Sequence, residues 1–589
     1  MNYLNPSEAI YTGKVAETVD FTITKQLNDK VLWKKFANQF RVRLDSNDLG
    51  WRGEYWGKMM RGGCLTYRYS ANEELYETLT FAVQELLKTM DDLGRIASYT
   101  VETEFSGWDL WSRKYVLSGL QHFYSICKDE SLKTQIMTAM EKTADYICEH
   151  IGDGKKDIRD TSNCWGGLNS CTILEPFVEL YKLTGKKAYL DFAEYIIRSG
   201  GCSRGNIFES AEKEGVYPSQ YPTTKAYETM SLFEGLLAYY EVMQDEKDIK
   251  LVQKFIEDAF LTEGSVIGGL SGRDELFDGF YANQTEKQPK VVQETCVTVT
   301  WIRLLARLYM NTGDVKYIER IEHSGLNALW GSLNTEWNTH YSSIVKKQVA
   351  PLPFDSYSPL VYDKRGQEVG GFKIMEDGSN YGCCACIAAA GVALMPLLAT
   401  VKDNNGFTLN YYFSGNVQST TPLGNAVKIE ITGNYPVDGK IKVAVSCATE
   451  EKFVLRFRKP SWAEKADISG AVCVEENGYY VVERAWKNDE IILNFPMRLQ
   501  KEQLNERTAF IYGPIVLALD EGKGNRDIDQ DIYLVKDDGQ FDKPDKNEMI
   551  RYRVGRIGGE DLIFTDYASS GKNWATSDDK ISVWLSIKE

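Results

Sequence analysis

Tyr181-Lys182-Leu183-Thr184-Gly185-Lys186 decides how this 589-residue chain is read. It carries the end of one amphipathic helix, a glycine suited to the left-handed position past a helix C-terminus, and a polar start to the next helix. The pattern returns as Tyr309-Met310-Asn311-Thr312-Gly313-Asp314. Looser forms are Phe123-Tyr124 before Lys128-Asp129-Glu130, and Tyr239-Tyr240 before Asp245-Glu246-Lys247. The repeat of roughly 60 residues is long for common solenoids and suits a helical hairpin plus a variable loop. Such hairpins can close into an (α/α)6 barrel or stay open as an α-solenoid. The loop Asn163-Cys164-Trp165-Gly166-Gly167-Leu168-Asn169 is long and rich in Trp and Gly, as the rim of a pocket would be, which favours the closed ring. The barrel is expected over 51–400, with 1–50 leading into it and residues 1–25, 19–23 among them, as candidates to contribute a strand.

Past residue 401 the periodicity changes. Short β-rich runs at 407–412, 427–431, 441–445, 453–457 and 491–495 are separated by Gly, Asn, Pro and Asp. Their spacing and alternation predict an antiparallel β-sandwich over 401–520. The tail, 521–589, reads as a further β-rich segment. The expected fold is therefore α+β and multidomain, an (α/α)6 barrel followed by a β-sandwich.

Composition narrows the function. A net charge of −16 argues against nucleic acid and anionic membrane as partners, since both require a basic surface. No apolar run is long enough for a membrane span, and the first residues lack the pattern of a secretory signal. Twelve cysteines without an export signal point to a reducing, cytoplasmic setting, with thiols serving as core residues, ligands or catalysts. The aromatic clusters at 51–56 and 108–111 suit a sugar pocket better than isolated core residues would.

Two short motifs carry the chemistry. Glu294-Thr295-Cys296 and Cys383-Cys384 together supply one carboxylate and three thiols, the donor set of a tetrahedral Zn²⁺ site. Strong helical sequence follows each, over 297–310 and 388–400, so both motifs are placed at helix entrances. There, non-helical backbone can aim the donors and the helix dipole favours thiolate.

These motifs resemble those of the β-L-arabinofuranosidase group of glycoside hydrolases, family 127 and its relatives. Further points of likeness are Asp109-Leu110-Trp111-Ser112-Arg113-Lys114-Tyr115, Ile173-Leu174-Glu175-Pro176, Lys225-Ala226-Tyr227-Glu228, Arg458-Lys459-Pro460-Ser461-Trp462 and Arg484-Ala485-Trp486-Lys487-Asn488-Asp489. The resemblance implies a retaining glycosidase acting on small glycosides, with Zn²⁺ held by Glu294, Cys296, Cys383 and Cys384. It implies Cys383 as nucleophile and an acid/base Glu in the loop before Glu294, which falls on Glu275, with Asp274 and Asp278 as rivals. Tyr115, Lys225 and Glu228 are the expected sugar contacts. The chain departs from the family in two ways. Cys386 follows where the family places an Asn, giving a CxxC spacing, and none of the four histidines (His122, His150, His323, His340) falls in a matching motif. Open alternatives are a non-catalytic carbohydrate-binding protein with a structural zinc, and an (α/α)6-barrel lyase or uronyl hydrolase. A homodimer is compatible with the sequence.

Overall fold

In the computed structural model, which describes residues 1–536 and 538–588, six helices form an inner ring. They are Glu54–Ser70 (α1), Asp109–Ile126 (α2), Leu174–Thr184 (α3), Ala226–Met243 (α4), Thr295–Thr312 (α5) and Cys383–Ala399 (α6). Each packs on the next, and α6 packs back on α1. The ring is closed, so the open solenoid is excluded.

Outer helices Glu73–Leu87, Glu130–His150, Lys187–Arg198, Glu246–Glu263 and Val315–Ser324 return the chain between inner ones. The outer layer also includes the N-terminal helices. Lys14–Thr22 packs on α6 and Lys30–Val42 packs on Glu73–Leu87. Residues 1–25 do contribute strands, at Asn2–Tyr3 and Ala9–Tyr11, but 19–23, included in that expectation, are helical. Val15, Val19 and Ile23 recur every four residues and are all buried, a helical stripe built from β-branched residues.

Inner and outer helices differ in ways the sequence explains. All of α6 is buried, which its Ala, Gly and Cys content permits. A Cβ on Gly57 would lie 1.9 Å from the Tyr115 carbonyl oxygen, and one on Gly62 would lie 2.7 Å from Ala389 Cβ. Glycine at these two positions lets α1 close on α2 and α6. Five outer helices begin with side-chain caps, Asp29, Asn72, Asp129, Asp245 and Asp314, while Lys14–Thr22 and Lys187–Arg198 lack one. None of the six inner helices has a side-chain cap. Their positive dipole ends point at whatever they surround, while first-turn N–H groups such as those of Thr295 and Cys383 are taken up by the Ser356 and Gly370 carbonyls.

From Thr400 the chain forms strands. A ten-stranded sheet combines Asn2–Tyr3 and Ala9–Tyr11 with strands drawn from 400–494. Its spine is the long antiparallel pair Lys440–Arg458 and Tyr479–Asn494, with a register shift between Ser446 and Glu451. Before the shift the first strand pairs with Ala426–Thr432; after it the partner is Gly406–Leu409, in parallel. The bulge divides the spine between two groups of strands, a device that turns corners in sandwich-like folds. That parallel pair departs from the expected all-antiparallel pattern. Ile441, Val443 and Val445 point inward while Lys440, Lys442 and Ser446 face solvent. A seven-stranded sheet follows, in which Ile515–Asp520 pairs with Leu562–Asp566 and Ile581–Ser582. The result is an (α/α)6 barrel followed by sandwich-like β-sheets.

The ten-stranded sheet joins the C-terminal end of the inner ring. Tyr309, near the end of α5, shares hydrogen bonds with Asn410 and Tyr479, and buried Arg458 ion-pairs with Glu322. The opposite end, where the inner helices begin, is left for the site.

Candidate active site

The expected site residues gather at the entrances of four inner helices. Glu294 is the residue before α5 and Cys296 its second residue; Cys383 and Cys384 open α6. The cysteine pair thus lies within the first helical turn, and extended Gly382 makes the entrance. Lys225 precedes α4, with Tyr227 and Glu228 in its first turn. Tyr115 lies in the second turn of α2. Two loops add Glu275 and Tyr357.

Four donor atoms form one tight group, with every pair within 4.8 Å. Cys296 Sγ lies 3.4 Å from both Cys383 Sγ and Cys384 Sγ, and the latter two are 3.8 Å apart. Glu294 Oε1 is 3.4 Å from Cys384 Sγ and 3.8 Å from Cys383 Sγ. Tetrahedral coordination at a Zn–S distance of about 2.3 Å would place sulfurs about 3.8 Å apart, so the cage has the right size for that ion. Glu294 Oε2 is buried without a hydrogen-bond partner. Protein groups alone leave this carboxylate half-satisfied, and a cation is the partner its chemistry demands. The residues fit zinc. Cys386 is fully buried and outside the group, so the CxxC spacing plays no part in it.

Charge is unevenly shared among the four. Hydrogen bonds from the Cys296 and Cys384 thiols hold Cys383 well below the usual thiol range, helped by Lys58 and Lys225. Burial pushes Cys296, Cys384 and Glu294 the other way. Cys383 is also the most accessible of the four, at 7% exposure against 0% for the other cysteines and 2% for Glu294.

Glu275 faces this group across Lys225 and Tyr357. Lys225 Nζ pairs with Glu275 Oε2, and Tyr357 donates to Glu275 Oε1 at 2.6 Å. Both Asp274 and Glu275 have left-handed backbone, φ +55° and +65°, a costly conformation for side-chain-bearing residues that favours a local functional demand. The rivals point elsewhere. Asp274 pairs with Lys290 at 2.7 Å on the exposed side, and Asp278 accepts from Arg273 Nε at 3.2 Å within its own loop.

Of the expected sugar contacts, Lys225 is bound to Glu275 rather than to Glu228, whose Oε2 is buried and unpartnered. Tyr115 is fully buried and its hydroxyl bonds that of Tyr227, so it sits behind the wall. Sequence reasoning missed Lys58, Glu54 and Tyr357. Lys58 Nζ lies 3.1 Å from Glu54 and 4.5 Å from the Tyr227 ring centre, and Trp111 donates to Glu54. Burial lifts the Glu54 carboxyl to about 7 although Lys58 pulls it down. The i,i+4 spacing of Glu54 and Lys58 inside an aromatic cluster was the available signal. Tyr357 had none. The histidines take no part: His122 and His323 bond backbone carbonyls, and burial pushes His122 down to about 3.

Comparison with known proteins places the chain in a family of glycoside hydrolases. Residues 14–342 match the profile of the "Beta-L-arabinofuranosidase, GH127 catalytic domain" and 406–497 match the corresponding middle domain. The first match covers more than half of the chain, which therefore belongs to the β-L-arabinofuranosidase family, glycoside hydrolase family 127. Cys383 and Cys384 fall between the two matched segments. A curated relative, the non-reducing end β-L-arabinofuranosidase of Bifidobacterium longum, is 21% identical over 427 residues, covering 66% of this chain and 62% of that protein. The chain thus spans somewhat less than two thirds of that relative's length. Among solved structures, a family 127 β-L-arabinofuranosidase from Geobacillus stearothermophilus T6 superposes with a TM-score of 0.72 at 16% identity, covering 98% of this chain and 100% of that one. A family 127 β-arabinofuranosidase gives 0.75 at 16% identity, covering 100% of this chain and 98% of that one. At such identities the structural likeness speaks for the fold.

Proposed function

We propose that the protein is a retaining exo-glycosidase that removes β-L-arabinofuranosyl units from small glycosides, with Cys383 as nucleophile and Glu275 as acid/base. The observation that carries this is the buried Glu294–Cys296–Cys383–Cys384 cage, in which the most accessible sulfur is also the one its neighbours favour as thiolate. Zn²⁺ held by these four residues would keep the sulfur ionised and share its charge whenever it leaves carbon.

In the first step Cys383 Sγ bonds the anomeric carbon as the glycosidic C–O bond breaks, and Glu275 passes its proton to the departing oxygen. In the second, Glu275 takes a proton from water while the water oxygen bonds the anomeric carbon. The C–S bond breaks and its electrons return to sulfur. Two inversions at one carbon give net retention. Lys225 and Tyr357, both donating to Glu275, fix that carboxyl's position. Lys225 and the unpartnered Glu228 oxygen are the polar groups offered to sugar hydroxyls, and Tyr115 acts by holding Tyr227. Among the described residues no helix is long and apolar enough to cross a membrane. All twelve cysteines are unpaired as disulfides, in keeping with a cytoplasmic setting.

The family relatives' names supply the sugar. The test is hydrolysis of aryl β-L-arabinofuranosides with the product anomer followed by NMR. The proposal expects a retained anomer and a Cys383→Ala variant that is inert although it remains folded at the assay temperature, with the melting point lowered as for loss of any ligand of the cage. Turnover surviving in that variant removes the nucleophile assignment. Normal zinc content with no turnover of any glycoside favours a structural metal, since a shell of four protein ligands is typical of structural sites.

A further inference from the structure

The mechanism above leaves one rim element without a role. Trp165, Gly166 and Gly167 are consecutive left-handed residues, with φ of 55°, 66° and 80°. Left-handed stretches of this length are rare because each residue bearing a side chain meets a steric penalty there, and here one of the three is tryptophan. The turn is firmly held. A Cβ on Gly167 would lie 2.3 Å from the Arg159 carbonyl oxygen, Ser203 N donates to the Gly166 carbonyl at 2.8 Å, and Cys164 N donates to Ser162 Oγ at 3.0 Å. Its product is a partly buried indole, packed on the core along one part, 5.6 Å from Lys225 Nζ. Lys225 is the partner of Glu275. Trp51 borders the sulfur cage instead: its Nε1 donates to the Gly371 carbonyl at 2.9 Å, and Gly371 abuts Cys383.

The geometry points to a division of the aromatic rim, in which Trp165 is the platform for the leaving group and the Trp51 side bounds the sugar being transferred. This rests on the glycosidase reading. An acid must touch the departing oxygen, so the accessible part of an indole beside the acid and its lysine meets the part of the substrate beyond that oxygen. The ligand class is a leaving group with a flat apolar face, such as a second sugar ring or an aryl group, stacked on the indole.

The experiment compares Trp165→Ala and Trp165→Phe with the wild type on three β-L-arabinofuranosyl donors: a disaccharide, an aryl glycoside and the glycosyl fluoride. Any residue other than glycine meets the same left-handed cost, so neither variant changes the demand on the backbone. Loss of a stacking contact lowers kcat/KM about threefold to tenfold on the disaccharide and aryl donors. The fluoride, whose leaving group cannot reach the indole, is turned over by Trp165→Ala as by wild type, and Trp165→Phe recovers most of the loss. Equal losses on all three donors show a structural role and overturn the platform, as does no loss on any. A wild-type protein inert to all three donors refutes the β-L-arabinofuranosidase reading, and with it the platform proposed for that reaction.

Discussion

Gly371→Ala probes the position of the proposed nucleophile without deleting it. Gly371 has φ +57°, and a Cβ there would lie 2.5 Å from Cys383 Sγ and 2.6 Å from Cys383 Cβ. Non-bonded heavy atoms sit about 3.5–4.0 Å apart at rest, so the sulfur must retreat by about 1 Å. Cys383 cannot pivot freely, because Cys296 and Cys384 crowd it at 3.4 and 3.8 Å. A displacement of that size at a reacting atom costs about 10²-fold in rate. The left-handed backbone adds about 1–2 kcal/mol of destabilisation for alanine at this position. Gly378→Ala separates the two effects: it has φ +77° and no atom within 4 Å of the new Cβ, so it meets the backbone cost alone. The assay is kcat/KM on an aryl β-L-arabinofuranoside, with zinc stoichiometry and melting temperature for both variants. We expect a small melting shift in both, and the activity loss with reduced zinc content in Gly371→Ala only. If the two variants match in activity and metal content, the crowding at Cys383 does not matter to the reaction and the reasoning fails.

Glu275→Gln should lower turnover of alkyl glycosides by about 10²–10⁴-fold and affect donors with good leaving groups less, because those depart without a proton. A uniform loss across leaving groups would argue against acid catalysis by Glu275. Cys296→Ala removes one ligand from the cage, so zinc content and melting temperature should fall together and excess zinc should restore part of the latter by mass action. An unchanged melting temperature would show that the cage is not coupled to folding. Glu241, between Arg307 and Lys182, tests the contacts among α3, α4 and α5 toward the C-terminal end of the inner ring. Burial works against its charge, but the two cations prevail and hold its carboxyl at about 2 instead of 4.5. At about 1.4 kcal/mol per pKa unit that is about 3 kcal/mol of stability. A depressed carboxyl stabilises fully above pH 4.5 and loses that contribution as pH falls toward about 2. Glu241→Gln should therefore unfold more easily at pH 7, and its gap to wild type should close across that acidic range; a gap independent of pH would contradict the ion-pair account.

Much of this was legible in residues with strong local meaning. Gly185 and Gly313 both end inner helices in left-handed conformation, as their Thr-Gly sequences predict. Glu-Thr-Cys and Cys-Cys were legible because thiols and a carboxylate gathered at helix starts have few other uses. The rest depends on contacts that sequence spacing does not encode. Val19 and Ile23 read as strand because β-branched residues favour sheets, yet packing on α6 made them helical. The runs 441–445 and 453–457 read as two strands but are one, since a bulge carries the chain across the intervening polar residues. Glu275 was one acid among three until Lys225 and Tyr357, 50 residues before it and 82 after it, converged on it. Lys58 lies on a helix whose buried face faces a charged site, so its burial looks anomalous until Glu54 and the Tyr227 ring are placed beside it.

The decisive observation is where the sugar is attached in mid-reaction. Rapid acid quenching of the enzyme with an activated β-L-arabinofuranosyl donor, followed by peptide mapping, should find a pentosyl group on the peptide containing Cys383, and none after Cys383→Ala. A pentosyl group on a carboxylate, or on any other cysteine, would contradict the sulfur nucleophile.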